Sequence, residues 1–148
     1  MAEEEFVLKV NNKIKELGFK NTRIVDAVGL KDANISTARE IAEFANIALA
    51  ADEINRASLT KKYEFTTEQG KKKIIMATNE LLNIFPVGGV NILGGKTGFI
   101  NSSGYCLVSK FKGADGRTVV TVVLGAGSEA DRFGLTRKLV DLYYNNKP

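Results

Sequence analysis

At 148 residues, with 44% hydrophobic and 26% charged positions, the chain has the composition of a single folded unit with enough apolar material for a core, which excludes intrinsic disorder. The net charge of +4 is mild and its lysines are mostly scattered, the pattern of a solvated surface, so no nucleic-acid partner is expected. With no histidine and one cysteine, a zinc centre, a Ser-His-Asp triad, a Cys-His pair and an intrachain disulfide are all excluded within the chain, and neither metal nor cofactor is expected.

The first residues, Met1-Ala2-Glu3-Glu4-Glu5, are acidic where a secretory signal would be basic. No apolar run approaches the ~20 residues that cross a bilayer, so the chain as given is expected to be soluble. Val7, Val10, Ile14 and Leu17 recur at helical spacing, with Gly18 as the stop. Residues 19–35 read as irregular, with Gly29 and Asp32-Ala33-Asn34 as turn signals. Thr37-Ala38-Arg39-Glu40 is a capping-box pattern opening a helix whose apolar side is Ile41, Phe44, Ala45, Ala48 and Leu49. Ser58 reads as part of a solvated connection, and Lys61-Lys62-Tyr63 as a solvated edge. Tyr63, Phe65 and Thr67 alternate as a short strand, paired with Ile74-Ile75-Met76 across a turn at Glu68-Gln69-Gly70. Asn79 to Phe85 predicts a short helix ended by Pro86.

The last third changes character. Lys96–Ile100, Tyr105–Phe111 and Arg117–Leu124 predict three consecutive antiparallel strands, joined by turns at Asn101-Ser102-Ser103-Gly104 and Gly113-Ala114-Asp115-Gly116. Val119 to Leu124 is apolar on both faces, as in a central strand covered by helices on both sides. Cys106 reads as a small buried strand residue. A closing helix from about Ser128 to Tyr144 completes an α+β layout.

Four stretches, taken in order, carry a specific resemblance. They are Phe6-Val7-x-x-Val10-Asn11-x-Lys13-x-x-Glu16-Leu17-Gly18; Ser36-Thr37-Ala38-Arg39-Glu40-Ile41-Ala42; Thr78-Asn79-x-Leu81-Leu82; and Lys96-Thr97-Gly98 followed by Gly104-Tyr105-Cys106-Leu107. With Val123-Leu124-Gly125 and Arg132-Phe133 beyond them, the set resembles the later portion of the catalytic domain of the low-molecular-mass penicillin-binding proteins, the serine D-Ala-D-Ala carboxypeptidases. The resemblance implies a partial β-lactamase/transpeptidase-like fold over residues 1–148, a helical part followed by an antiparallel sheet and a C-terminal helix. It implies as ligands a peptidoglycan stem peptide ending in D-Ala-D-Ala and, in the complete enzyme, β-lactams. The parent family is extracytoplasmic and often membrane-associated.

By the same resemblance, Lys96-Thr97-Gly98 would form one wall of an acyl-transfer site. Lys96 is the catalytic cation, attracting the substrate's terminal carboxylate and biasing nearby proton transfers. Thr97 adds a directional hydroxyl to that carboxylate, Gly98 lets the substrate backbone lie flat, and the Phe99 N–H is an oxyanion donor. The family's nucleophile is a Ser-x-x-Lys that precedes all of these stretches. One such pattern occurs, Ser58-Leu59-Thr60-Lys61, but it sits too late in the order, in polar surroundings that would not depress a lysine pKa. No Ser-x-Asn partner motif is in place; Tyr143-x-Asn145 is a chance echo. The expectation is therefore a chain without its nucleophile segment, inactive alone, with a sheet edge open for the missing N-terminal strands or for a dimer. The alternatives are a non-catalytic relative that binds peptidoglycan peptides or a protein partner, and a structural domain that retains only ancestry.

Overall fold

The computed structural model describes residues 2–145. Helix α1 (Glu3–Glu16) begins with three glutamates, which suit the positive end of a helix dipole, and ends in a Schellman motif. Gly18, at φ 78°, donates its N–H to the Lys15 carbonyl, and Phe19 donates to that of Ile14; Ile14 and Phe19 are both buried. The segment to Ser36 has no regular element beyond an Arg23–Ile35 bridge, yet it is closely tied. Asp26 accepts from the backbone N–H groups of Gly29, Leu30 and Lys31 and from Asn34 Nδ2. Those bonds, the Asn34 amide first, hold the Asp26 carboxyl below its usual range.

Helix α2 (Ala38–Ala48) is capped by Thr37, whose hydroxyl accepts from the Glu40 N–H at 3.2 Å. Only this half of the capping box forms. The buried Glu40 carboxylate turns to the preceding loop instead, accepting from the Lys20 and Asn21 N–H groups, Asn21 Nδ2 and the Thr22 hydroxyl. The Thr22 hydroxyl first, then these N–H groups, lower its pKa.

Ser58, predicted in a solvated connection, belongs instead to the last turn of a further helix, α3 (Asp52–Leu59), with two acids in its first turn and Arg56 in its last. A hairpin follows, β1 (Lys62–Thr66) against β2 (Lys72–Met76), with Tyr63 opposite Ile75. The predicted helix over Asn79 to Phe85 shrinks to α4 (Leu81–Ile84), because Asn79 spends its side-chain oxygen on the Leu81 N–H.

The main sheet has the order β3-β4-β5, all antiparallel, built from β3 (Asn91–Ile100), β4 (Gly104–Lys112) and β5 (Thr118–Ala126). The first strand starts five residues before the predicted Lys96 and carries a bulge between Ile92 and Gly94. On one face Leu107 and Phe111 pack with Phe133 and Val140 of α5 (Glu129–Asn145) and with Leu81 and Phe85 of the α4 segment. On the other face lies α2, where Asn46 accepts from Lys110 Nζ at 2.7 Å. Helices thus cover both faces of β5, as its apolar run predicts. Its position differs, since β4 is the central strand and β5 is an edge among the described residues. Cys106 is half-buried rather than buried.

Candidate active-site groove

Beside the open edge of β3 lies a groove of about 690 Å³. Its wall is Gly95-Lys96-Thr97; facing it are Arg56 and Ser58 of α3, Tyr63 and Met76 of the hairpin, and the Thr78-Asn79 segment. Consecutive strand residues point to opposite faces, so an edge strand presents two neighbours to a groove that wraps around it. Lys96 leaves on the α3 side and is exposed. Its ammonium donates to the Thr97 carbonyl, with no acidic partner among the described ion pairs. Thr97 leaves on the α4 side, 8% exposed, with its hydroxyl 2.6 Å from that of Thr78.

The wall is positioned by glycines on both its approaches. A Cβ on Gly94 would lie 2.6 Å from Ser58 Oγ and 2.9 Å from Leu49 Cδ2, so α3 and the end of α2 close on β3 only because that position is bare. Asn55 adds a tie, donating to the Leu93 carbonyl at the bulge. A Cβ on Gly95 would meet Ser109 Oγ at 2.5 Å and the Val108 carbonyl at 2.6 Å. Further along, the buried Arg132 donates to the Gly98 carbonyl at 3.4 Å, pairs with Glu129 and lies over the Tyr105 ring. Tyr105 in turn packs on Phe99 at 4.3 Å between ring centroids.

Of the residues singled out in the sequence, Lys96 and Thr97 meet in the groove, and Gly98 and Phe99 continue the same strand beyond its lining. Gly98 is open, with a built Cβ reaching only ordinary contact with Cys106 at 3.7 Å, and Phe99 is half exposed. Ser58 is in a helix rather than a solvated connection. It sits half-buried on α3, lines the groove, and donates its hydroxyl to the Asn55 carbonyl at 2.8 Å. Lys61, the other end of that pattern, is exposed and outside the lining. Thr78 and Asn79 were legible as part of a motif but carried no role. Arg132 was likewise legible only as part of the Arg132-Phe133 stretch of the resemblance, without a role. Arg56 gave no signal, because the helix that presents it was not predicted. Among the described residues there is no cluster of ligating side chains for a metal.

The family model for D-alanyl-D-alanine carboxypeptidases matches residues 2–128. The chain belongs to this family. The D-alanyl-D-alanine carboxypeptidase DacF of Bacillus subtilis is 33% identical over 145 residues, 97% of this chain and 36% of that protein. A D-alanyl-D-alanine endopeptidase of Haemophilus influenzae is 32% identical over 149 residues, 97% of this chain and 48% of that protein. Among solved structures, a cysteine-to-asparagine mutant of the Streptomyces K15 DD-transpeptidase superposes with a TM-score of 0.85 at 28% identity, covering 97% of this chain and 55% of that one. The α+β architecture is thus that of the penicillin-binding and transpeptidase fold, and the chain spans roughly a third to a half of these relatives' lengths. No helix among the described residues is long and apolar enough to cross a membrane.

Proposed function

We propose that this carboxypeptidase-family chain supplies one wall of a serine D-Ala-D-Ala carboxypeptidase that trims peptidoglycan stem peptides through an acyl-enzyme, and that it is inactive by itself. The observation that carries this reading is the meeting of Lys96 and Thr97 in a single groove at an open strand edge. A free strand edge offers its backbone to an extended peptide, and the ammonium and hydroxyl supply a cation and a directional donor for the peptide's terminal carboxylate. Gly98 leaves room for the substrate backbone, and the Phe99 N–H is the proposed oxyanion donor. β-Lactams, which carry a comparable carboxylate, would occupy the same wall in the complete, extracytoplasmic enzyme.

Two features support an incomplete site. The groove's serine, Ser58, gives its proton to a backbone carbonyl and has no lysine bonded to it, so nothing activates it as a nucleophile. The edge of β5 is flanked by an apolar slot of about 480 Å³ between Ala38 and Ala42 of α2 and Leu139, Leu142 and Tyr143 of α5. In the proposal this slot receives the strands of a segment carrying Ser-x-x-Lys and Ser-x-Asn.

The test is acylation by a fluorescent penicillin and release of D-Ala from a D-Ala-D-Ala peptide, each measured for the chain alone and for the chain joined to such a segment. Neither activity is expected alone; both are expected in the joined protein. Labelling of the chain alone that disappears in Ser58→Ala would assign the nucleophile to Ser58. A joined, folded protein that binds the peptide without turning it over would favour a non-catalytic binder.

A further inference from the structure

Thr97 has one hydroxyl proton, and Thr78 sits 2.6 Å away with the same need for a partner. The two hydroxyls can be ordered in only two ways. If Thr97 donates to Thr78, its proton is spent and it can offer an incoming carboxylate nothing but lone pairs. If Thr78 donates to Thr97, the Thr97 proton is free to point into the groove. Nothing else on Thr97 can settle the choice, because its side chain has no other hydrogen-bond partner among the described residues. Thr78 and Asn79 line the same groove as Lys96, and Asn79 is 6% exposed with its Nδ2 group unpartnered among the described residues.

Resting on the carboxylate-binding reading of the groove, we propose that Thr78 is a specificity-determining positioning residue, whose hydroxyl donates to Thr97 Oγ1 so that Thr97 donates to a ligand carboxylate. The chain Thr78 to Thr97 to carboxylate is a run of donors pointing one way, each bond polarising the next. It selects an acceptor-only group. A carboxylate accepts from Thr97 at no loss, whereas a carboxamide can also present N–H groups, which face a donor and are rejected. Lys96 supplies attraction to negative charge in general, and the threonine pair supplies the discrimination between an acid and its neutral isostere.

The experiment titrates this chain with N-acetyl-D-alanyl-D-alanine and with its C-terminal carboxamide, following amide chemical shifts by NMR. Thr78 is an exposed loop residue, so Thr78→Val, which keeps its shape, is expected to leave the spectrum's dispersion intact. The wild-type chain is expected to prefer the acid. Thr78→Val keeps the Thr97 proton available but frees its oxygen to accept, so acid binding should weaken less than about twofold while carboxamide binding should tighten about fivefold, shrinking the preference by the worth of one neutral hydrogen bond. Thr78→Ser, which keeps the hydroxyl, should restore the preference to within about twofold. A purely structural role would weaken both ligands together and would not be rescued by serine. If the wild-type chain prefers the acid and Thr78→Val preserves that preference, this proposal alone fails. If the wild-type chain binds neither ligand, or does not distinguish them, the carboxylate reading of the groove fails and this proposal with it.

Discussion

At the scale of single residues, the groove separates charge from direction. Lys96 is an exposed cation, whereas Thr97 is buried and its hydroxyl is held by a neighbour. In the completed enzyme, Lys96→Ala is expected to cost on the order of 2.7–4 kcal/mol of transition-state stabilisation, read as kcat/KM for D-Ala release. Thr97→Ala is expected to cost about 0.5–1.5 kcal/mol, since a neutral donor contributes less than a charged one. Equal, small effects would remove Lys96 from the chemistry. Glu40 makes a different kind of prediction. Its folded pKa is lowered, by the Thr22 hydroxyl first, so its contribution to stability is complete above the ordinary carboxylate range. That contribution is lost as pH falls through this range toward the lower folded value. Asp26 acts with the same sign. The urea midpoint should therefore drop on acidification from neutral pH to pH ~3. In Glu40→Gln it should start lower and depend less on pH; an identical pH profile would show that Glu40 is not a source of the acid sensitivity.

Between elements, close approach at β3 does what side-chain bonding cannot. The strand carries its proposed site residues on an edge, where no strand among the described residues pairs with it on one side, so its position is set mainly by β4 and α3. Gly95 permits the first contact and Gly94 the second. Gly95→Ala is expected to destabilise the chain by about 1–3 kcal/mol, because the new methyl meets the Val108 carbonyl, backbone that cannot rotate away. Adding Ser109→Ala should recover only part of the loss. Chemical denaturation checks both, and full recovery would mean that the Ser109 hydroxyl alone sets the spacing. The hairpin β1–β2 is exposed along its whole length, and its residues enter the groove as a second wall rather than as core.

For the molecule as a whole, the sheet is bounded on one side by the groove and on the other by an apolar slot. Among the described residues β5 is an edge strand with helices overhanging both faces, and the N–H and C=O groups on its open side invite another strand. The chain alone is therefore expected to self-associate in a concentration-dependent way by sedimentation velocity. Joined to a segment that supplies the neighbouring strands, it should be monomeric over the same range. A monomer at every concentration in the unjoined state would contradict an open edge.

The stop at Gly18, the Thr37 cap, the hairpin and the three-strand meander were legible because each is fixed by local chemistry: a positive-φ glycine, a side-chain cap, alternation, and turns rich in Gly, Asn and Asp. Family membership was legible for a related reason, since motif order survives as a linear pattern. What the sequence could not decide were partnerships between distant segments. Helix α3 was missed because it is short, and it is held in place by docking on β3 at Gly94 rather than by its own propensity. The run Val119 to Leu124 was read as central because apolarity reports coverage of the two faces, which is correct, and is blind to whether the edge is paired. Nor does any spacing place the Thr78 hydroxyl against that of Thr97, nineteen residues later. Local backbone preferences are written residue by residue, whereas the groove exists only where strand, helix and hairpin are packed together.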